Sequence, residues 1–161
     1  ESLHSVVGVD FAVTAIDRAK EAFGQTTGAF FCHADVCKLP VPSVPLDLLV
    51  DNTVFQNVRG TDREGHYLDT LRRISKPGHT VAYLSLMSRE GIERRAEFAG
   101  CMESLNLPLL RKDEIIDAFS QDWTLLSVKE GLYDLKPEGA GFECDAFYSY
   151  GGDLTPGIPS W

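Results

Sequence analysis

The chain has 161 residues, of which 43% are hydrophobic and 24% are charged, a composition typical of one globular domain. A chain of this length buries roughly 70% of the surface that its unfolded form exposes, so it can build one sizeable core. The formal net charge of -9 and the pI of about 4.8 repel phosphate groups. We therefore expect no nucleic-acid partner and no anionic membrane partner.

Cysteine usage and the N-terminus bear on where the protein works. The four cysteines, Cys32, Cys37, Cys101 and Cys144, lack the spacing of a disulfide framework, which favours reduced thiols in a cytoplasmic protein. No apolar run approaches the roughly 18 residues of a membrane span, and the N-terminus does not resemble a signal peptide. Glu1 stands where an initiator methionine is expected, which suggests a processed, truncated or partial chain.

Strands and helices alternate in the first half of the chain. Residues 5–10 form a short apolar run that predicts a buried strand ending at Asp10, and Thr14 predicts the cap of a helix that Gly24 stops. Residues 29–34 predict a second strand before a proline-rich loop at 40–45, and residues 46–51 predict a third strand ending at Asp51. The apolar face of the first helix is predicted to comprise Ala15, Ile16, Ala19, Ala22 and Phe23.

The second half begins with a predicted helix from about residue 61 to residue 74, followed by a strand over 79–86. Helices are then predicted over 92–102 and 113–119, and strands over 123–130 and 142–150. We expect residues 1–150 to form one domain and residues 151–161 a turn-rich tail. Alternation of this kind predicts an α/β fold with a mostly parallel sheet, and the last two strands, which no helix separates, predict an antiparallel hairpin at one edge.

Three acids lie at or just beyond the carboxyl ends of predicted strands, namely Asp10, Asp35 and Asp51. Open sheets of this kind bind ligands in the crevice outside those ends. The acids are therefore candidates for a common ligand site. The alternative for each is an acid that is solvated or caps a helix.

Four blocks in order resemble the class I, Rossmann-like S-adenosylmethionine-dependent methyltransferases, particularly the small-molecule enzymes of the thiopurine and halide type. The blocks are residues 7–11, residues 34–36 with 39–40, residues 46–51, and Lys76-Pro77-Gly78. The resemblance extends over about residues 5–150. The family also has an antiparallel strand near its C-terminus, to which the predicted hairpin corresponds.

The resemblance implies that S-adenosylmethionine is the cofactor and assigns residues to it. Asp10 would accept hydrogen bonds from the ribose hydroxyls, and Phe11 would flank the adenine. Asp35 would accept from the adenine amino group, and the Val36 amide would read a ring nitrogen. Asp51 ends the strand that points at the transferred methyl group.

A polar cluster after that strand predicts acceptor binding, with Asn52, Gln56 and Tyr67 as substrate-binding candidates. His66 and Tyr67 are candidates for a base or for acceptor positioning, although such residues more often lie on a helix surface or pack in a core. Methyl transfer depends mainly on alignment and desolvation, and we identify no catalytic residue. The acceptor is expected to be a small molecule that contacts apolar residues after the fourth strand, with Met87, Phe98, Met102 and Leu107 as candidates that could equally be core.

One part of the family pattern is absent, because the first strand and its Gly-rich turn have no counterpart here. The turn normally lies about 20 residues before the ribose-binding acid, which places it upstream of Glu1. The missing strand would lie between the strands ending at Asp10 and Asp51, and its loss would leave two unpaired edges and exposed apolar faces. Two explanations are open: an N-terminal segment of about 40 residues that this sequence lacks, or a degenerate relative that pairs the two strands directly or uses a partner chain.

Other functions share parts of this sequence pattern. A nicotinamide-dependent dehydrogenase shares the acid after its second strand, but the Lys-Pro-Gly block and the hairpin favour a methyltransferase. A non-catalytic binding or scaffold domain on the same fold stays the alternative, because fold does not establish activity. Cys32, His33 and Cys37 lack the spacing of a zinc site, so no metal is expected. Self-association into a homo-oligomer is left open.

Overall fold

The computed structural model of the chain describes residues 5–90, 108–135 and 142–153, and for residues 130–135 and 142–153 it describes the backbone alone. The helix predicted over 92–102 and three acceptor-pocket candidates, Phe98, Met102 and Leu107, lie outside the described residues. The described elements in chain order are β1 (Val6–Asp10), α1 (Val13–Phe23), β2 (Ala29–His33), a 3₁₀ turn (Val36–Lys38), β3 (Leu48–Asn52), α2 (Val54–Val58), α3 (Glu64–Ile74), β4 (Val81–Leu86), α4 (Lys112–Phe119), β5 (Thr124–Leu135) and β6 (Phe142–Asp153).

The strands form a parallel pair and a four-stranded mixed sheet. β1 pairs in parallel with β2, and β3 pairs in parallel with β4. The larger sheet has the order β3-β4-β6-β5, in which β6 is antiparallel to both of its neighbours. The α/β fold class and the antiparallel hairpin at one edge are therefore confirmed. β6 continues past residue 150 to Asp153, and the division into a domain of residues 1–150 and a tail stays a prediction.

Helix α1 begins two residues earlier than predicted, and Thr14 does not cap it. The N-cap residue is Ala12, whose carbonyl accepts from the amides of Ala15 at 3.1 Å and Ile16 at 3.2 Å. The Asp10 carboxylate accepts the Ala12 amide at 2.7 Å and so turns the chain from β1 into the helix. The helix therefore has no side-chain cap, and Asp10 instead holds the N-cap residue through its amide.

The apolar face predicted for α1 is mostly uncovered. Only Ile16 of its five members is buried, and Phe23 is 58% exposed. The helix ends before Gly24 as predicted, for a steric reason. A Cβ at Gly24 would lie 2.4 Å from the carbonyl oxygen of Lys20, which leaves no room for a side chain.

Helix α3 supplies one side of the core and follows the predicted spacing. Tyr67, Thr70, Leu71 and Ile74 are buried, which is the i, i+3, i+4, i+7 pattern of one helix face. Opposite them, the rings of Phe55 in α2 and Phe119 in α4 meet edge to face with centroids 4.8 Å apart. The same core takes in Ala82, Leu84 and Leu86 of β4, together with Leu110, Ile115 and Trp123.

Two short elements were not predicted. The 3₁₀ turn follows β2, and α2 follows β3 with only one residue, Thr53, between them. Thr53 has φ +64°, in the left-handed region that a β-branched residue rarely adopts. The polar cluster predicted after β3 thus lies on a sharp strand-to-helix turn.

Two strand edges carry no partner strand among the described residues. β1 is bonded only to β2, and β3 is bonded only to β4, so these two strands do not pair with each other. Apolar side chains near both edges are exposed, including Val6 at 67%, Val7 at 60% and Val50 at 65%. These features match the expectation of unpaired edges and exposed apolar faces. No helix in the described ranges has the length and apolarity that crossing a membrane requires.

Candidate functional site

The first part of the site is the end of β1. Asp10 is the last residue of the strand, and its Oδ1 accepts the amide of Ala12 at 2.7 Å. Its second carboxylate oxygen accepts no hydrogen bond within the described part of the chain. Phe11 follows with its side chain 74% exposed, and its carbonyl oxygen lies 2.8 Å from Nε2 of His33. The sequence did not identify His33 as a partner of Phe11, but the parallel pairing of Asp10 with His33 accounts for the contact.

Asp10 and the segment that contains Asp35 lie at the same edge of the parallel pair. The carbonyl oxygen of Asp10 accepts a hydrogen bond from the amide of Ala34 at 3.0 Å. Asp35 follows directly and begins the 3₁₀ turn. The sequence argument required the two acids to meet at one sheet edge, and the backbone geometry brings them there.

The Asp35 carboxylate is held at one oxygen. Oδ1 accepts the amide of Cys37 at 3.0 Å and also a bond from the guanidinium of Arg63. Oδ2 accepts no hydrogen bond among the described residues, although Nζ of the exposed Lys38 lies 4.0 Å away. The Cys37 amide, followed by the charge of Arg63, lowers the pKa of Asp35 below its ordinary value of 3.8. The acid is therefore charged at neutral pH, with one oxygen available to a ligand.

Val36 is the first residue of the 3₁₀ turn, so its amide has no partner within that turn. Its side chain packs against the core. A half-buried side chain whose amide has no partner among the described residues suits a residue that meets a ligand through its backbone. Its predicted role as a reader of a ring nitrogen stays a prediction.

The second part of the site is the end of β3, where Asp51 is only 7% exposed. Its Oδ1 accepts the Val54 amide at 2.6 Å and its Oδ2 the Phe55 amide at 2.9 Å, so the carboxylate caps the start of α2. Oδ2 also accepts the hydroxyl of Tyr67. Burial raises the pKa of Asp51, and burial together with the nearby carboxylate raises that of Tyr67 well above its ordinary value.

Gln56 and Asn52 differ sharply in exposure. Gln56 is fully buried, and its amide is engaged on both sides, since Nε2 donates to the carbonyl of Pro108 at 2.6 Å and Oε1 accepts the Met87 amide at 2.9 Å. Asn52, the last residue of β3, is exposed, as is His66 on α3. Met87 is buried at 4% exposure, so its ordinary-core alternative fits the structure.

The predicted residues therefore fall into two groups. Asp10, Phe11, Asp35 and Val36 share the open edge formed by β1 and β2. Asp51, Gln56 and Tyr67 are buried around α2, and each has a partner inside the protein. Arg63, which no sequence pattern singled out, stands between the groups, because it bonds Asp35 and directly precedes the helix that carries Tyr67.

We tested the open edge against the two halves of S-adenosylmethionine. The nucleoside half needs acceptors for hydroxyl and amino donors, and the open edge offers one uncommitted carboxylate oxygen on each of Asp10 and Asp35. The exposed ring of Phe11 lies beside them. The residues present fit the nucleoside. For the methionine half, the sequence contains no Gly-rich turn of the G-x-G-x-x-G kind.

The next feature is the set of side chains that could bind a metal ion. No group of three or more His, Cys, Asp or Glu side chains in the described part of the chain is arranged to hold one. Of the two cysteines whose side chains are described, Cys37 is buried and Cys32 is exposed. Both are free thiols, as expected from their spacing.

Comparison with known proteins gives a family and a fold. The model of the family described as "Methyltransferase domain" matches residues 1–83, just over half of the chain. Comparison with curated proteins gives no sequence match.

Among solved structures, one described as "Conversion of a Disulfide Bond into a Thioacetal Group during Echinomycin Biosynthesis" is 26% identical, with a TM-score of 0.73 over 94% of this chain and 67% of its own. An S-adenosylmethionine-dependent methyltransferase from Methanosarcina mazei is 16% identical, with a TM-score of 0.68 over 94% of this chain and 82% of its own. The N-methyltransferase NodS from Bradyrhizobium japonicum, in complex with S-adenosylhomocysteine, is 12% identical, with a TM-score of 0.63 over 94% and 67%.

These matches concern the family and the fold. The family model ends at residue 83, so it includes both groups of predicted site residues. The solved structures share the fold over nearly the whole chain. S-adenosylmethionine is the cofactor that the family and the fold indicate. The chain belongs to the methyltransferase-domain family and has the class I methyltransferase fold.

Proposed function

We propose that this chain transfers a methyl group from S-adenosylmethionine to a small-molecule acceptor. The observation that carries the proposal is the pair of acids at one open sheet edge. Within the described ranges, Asp10 and Asp35 each keep one carboxylate oxygen without a hydrogen-bond donor. The hydrogen bond from the Ala34 amide to the Asp10 carbonyl holds the two segments together.

Each residue at this edge has a specific role in the proposal. Asp10 accepts from the ribose hydroxyls through its uncommitted oxygen, and Phe11 covers one face of the adenine. Asp35 accepts from the adenine amino group, and the Val36 amide donates to a ring nitrogen. Charge-assisted bonds of this kind are about twice as strong as bonds between neutral groups.

When bound, S-adenosylmethionine supplies a methyl group on a sulfonium sulfur, and the acceptor takes that methyl by in-line displacement. The protein's contribution is alignment and the exclusion of water. We place the acceptor near the end of β3, with Asn52 exposed there, and Gln56 and Tyr67 supporting the turn from inside. Asp51 fixes the start of α2 beneath it. A base is needed only for an acceptor that is not already a good nucleophile, and we assign none.

The small-molecule acceptor is supported by the net charge of -9, which disfavours a nucleic acid. The 26%-identical structure connected with echinomycin biosynthesis also supports it, because a biosynthetic intermediate is a small molecule. Membership of the thiopurine and halide subtype and a cytoplasmic location are further parts of this proposal, and self-association stays open.

Isothermal calorimetry with S-adenosylhomocysteine tests the cofactor site. Asp10→Ala should weaken binding by about 1.5–3 kcal/mol, because it removes charge-assisted bonds to the ligand. It should also lower the melting temperature, because it removes the acceptor of the Ala12 amide, so affinity is compared on the folded protein. Asp17→Ala, at an exposed acid on α1, is the matched control and should leave the affinity unchanged. Equal affinity of the Asp10→Ala variant and the wild type would remove Asp10 from the site.

The alternative is a non-catalytic binding or scaffold domain, and ligand-dependent melting separates the two. A cofactor that binds only the folded chain raises its melting temperature by mass action. Two results together support the enzyme. S-adenosylhomocysteine raises the melting temperature, and the chain forms S-adenosylhomocysteine from S-adenosylmethionine when a thiol, amine or halide acceptor is supplied. No shift at millimolar ligand would favour the scaffold.

A further inference from the structure

We propose that Arg63 is a positioning residue for the cofactor: it holds one oxygen of Asp35 so that the other faces the adenine amino group. The inference rests on the proposed function and deepens it. It concerns a residue that lies outside the sequence blocks of the resemblance and that the geometry alone brings to the site.

The first support is the way Arg63 and the Cys37 amide divide the carboxylate. Both donate to Oδ1 of Asp35, and neither donates to Oδ2. Two donors on one oxygen fix the plane of the carboxylate, and they leave the lone pairs of the second oxygen for another donor. A free carboxylate would instead rotate between rotamers.

The second support is that the guanidinium is itself anchored. Its NH2 group also lies 3.5 Å from Sγ of Cys37, and the Cys37 thiol in turn lies 3.9 Å from the Arg63 carbonyl. Cys37 is buried, so the guanidinium contacts a side chain that belongs to the core. The amide of Arg63 is also engaged, since it donates to Oγ1 of Thr61 at 3.2 Å. The guanidinium therefore has two contacts, with Asp35 and with Cys37, although the side chain is 45% exposed.

The third support is the position of Arg63 in the chain. It directly precedes α3, and its carbonyl accepts the Tyr67 amide at 2.9 Å. Tyr67 in turn bonds Asp51. Arg63 therefore connects two parts of the site: the edge of the β1–β2 pair, where the adenine would bind, and the buried group around α2. This connection fixes Asp35 relative to α3.

The test measures base discrimination, which a merely structural role would not move. Adenine presents an amino donor to Asp35, whereas hypoxanthine presents a carbonyl oxygen that a carboxylate repels. The wild type should bind S-adenosylhomocysteine at least about tenfold more tightly than S-inosylhomocysteine. Arg63→Met should weaken S-adenosylhomocysteine binding about tenfold and reduce the preference for adenine at least about threefold, because the Cys37 amide is then the one remaining donor that orients Asp35 among the described residues.

Three further variants complete the design. Arg63→Lys, which keeps a donor of the same charge, should recover part of the preference. Arg72→Met removes an exposed arginine of α3 whose one partner in the described part of the chain is Asp69, and it should change neither affinity nor preference. In an Asp35→Asn background, Arg63→Met should have no additional effect, because Arg63 acts through Asp35.

Several outcomes would overturn the inference. An Arg63→Met variant with wild-type affinity and wild-type preference would do so while leaving the proposed function intact. So would an Arg63→Met effect of the same size in the Asp35→Asn background, because Arg63 would then act by another route. A wild-type chain with no affinity for S-adenosylhomocysteine would overturn the proposed function and this inference together.

Discussion

The hydroxyl of Tyr67 donates a hydrogen bond to Oδ2 of Asp51, and this contact joins helix α3 to the carboxyl end of β3. Both groups are buried, at 3% and 7% exposure. The same carboxylate caps α2 through the amides of Val54 and Phe55. One buried acid thus fixes three elements at the floor of the candidate site.

Removing the Tyr67 hydroxyl should therefore destabilise the fold. We expect Tyr67→Phe to lower the free energy of unfolding by about 1–3 kcal/mol, because a buried charged acceptor loses one of its donors. Chemical denaturation of the two proteins measures the difference. Tyr83→Phe, at a β4 residue that is 42% exposed, is the control and should change stability by less than about 0.5 kcal/mol. Equal effects of the two substitutions would mean that the Asp51 contact contributes nothing specific.

The stability that Asp51 contributes should depend on pH. Burial raises its folded pKa above the ordinary value of 3.8, so the folded chain holds this proton more tightly than the unfolded chain. A contribution of this sign is fully present below pH 3.8 and is lost as the pH rises through the folded pKa. The free energy of unfolding of the wild type minus that of Asp51→Asn should therefore fall as the pH rises through that window.

Denaturation of both proteins at pH steps from about 3.5 to 7 measures this difference. The Tyr67→Phe protein offers a second check. The Tyr67 hydroxyl bond lowers the pKa of Asp51, so its loss should move the fall to higher pH. A difference that increases with rising pH would show that the folded pKa lies below 3.8 instead.

Gln56 should act as a structural tie between β4 and the segment before α4. Gln56→Leu leaves the buried Met87 amide without its acceptor and the Pro108 carbonyl without its donor. We expect a loss of about 1–3 kcal/mol in the free energy of unfolding. Gln25→Leu, at an exposed turn residue, supplies the same change without the buried bonds and should be nearly neutral. A neutral Gln56→Leu would show that these bonds are replaced by water in solution.

Backbone strain at Thr53 predicts that one substitution stabilises the chain and that another, at Gly60, destabilises it. Thr53 and Gly60 both have positive φ, +64° and +74°, but only Gly60 is a residue suited to it. Thr53→Gly should stabilise the chain by about 0.5–1 kcal/mol, since it relieves a left-handed conformation that costs about 1–2 kcal/mol. Gly60→Ala should destabilise it, although a Cβ there meets nothing within 4 Å, because only the backbone angle is unfavourable. Thermal or chemical denaturation of both variants decides, and a destabilised Thr53→Gly would contradict the strain argument.

Local pattern was sufficient for the positions of the parallel strands, for the C-terminal ends of α1 and α3, and for the buried face of α3. It was wrong about the burial of β1 and β3, whose side chains Val6, Val7 and Val50 are exposed. Tyr67, Leu71 and Ile74 recur at helical spacing, and that spacing is a property of neighbours in the chain. The same rule failed for α1, where only Ile16 of the predicted face is buried. Periodicity states which face of a helix is apolar, but burial requires another element to cover that face.

What the sequence by itself determined is that acids stand at the ends of apolar strands, and therefore at the carboxyl edge of the sheet. What the tertiary structure alone decided is which donors those acids meet. Asp51 is satisfied by Tyr67 and two helix amides, whereas Asp35 is held by Arg63 at one oxygen and Asp10 keeps one oxygen uncommitted. The physical reason is that a carboxylate accepts from whichever donor the packing brings within hydrogen-bond reach, and Arg63 lies 28 residues from Asp35 along the chain.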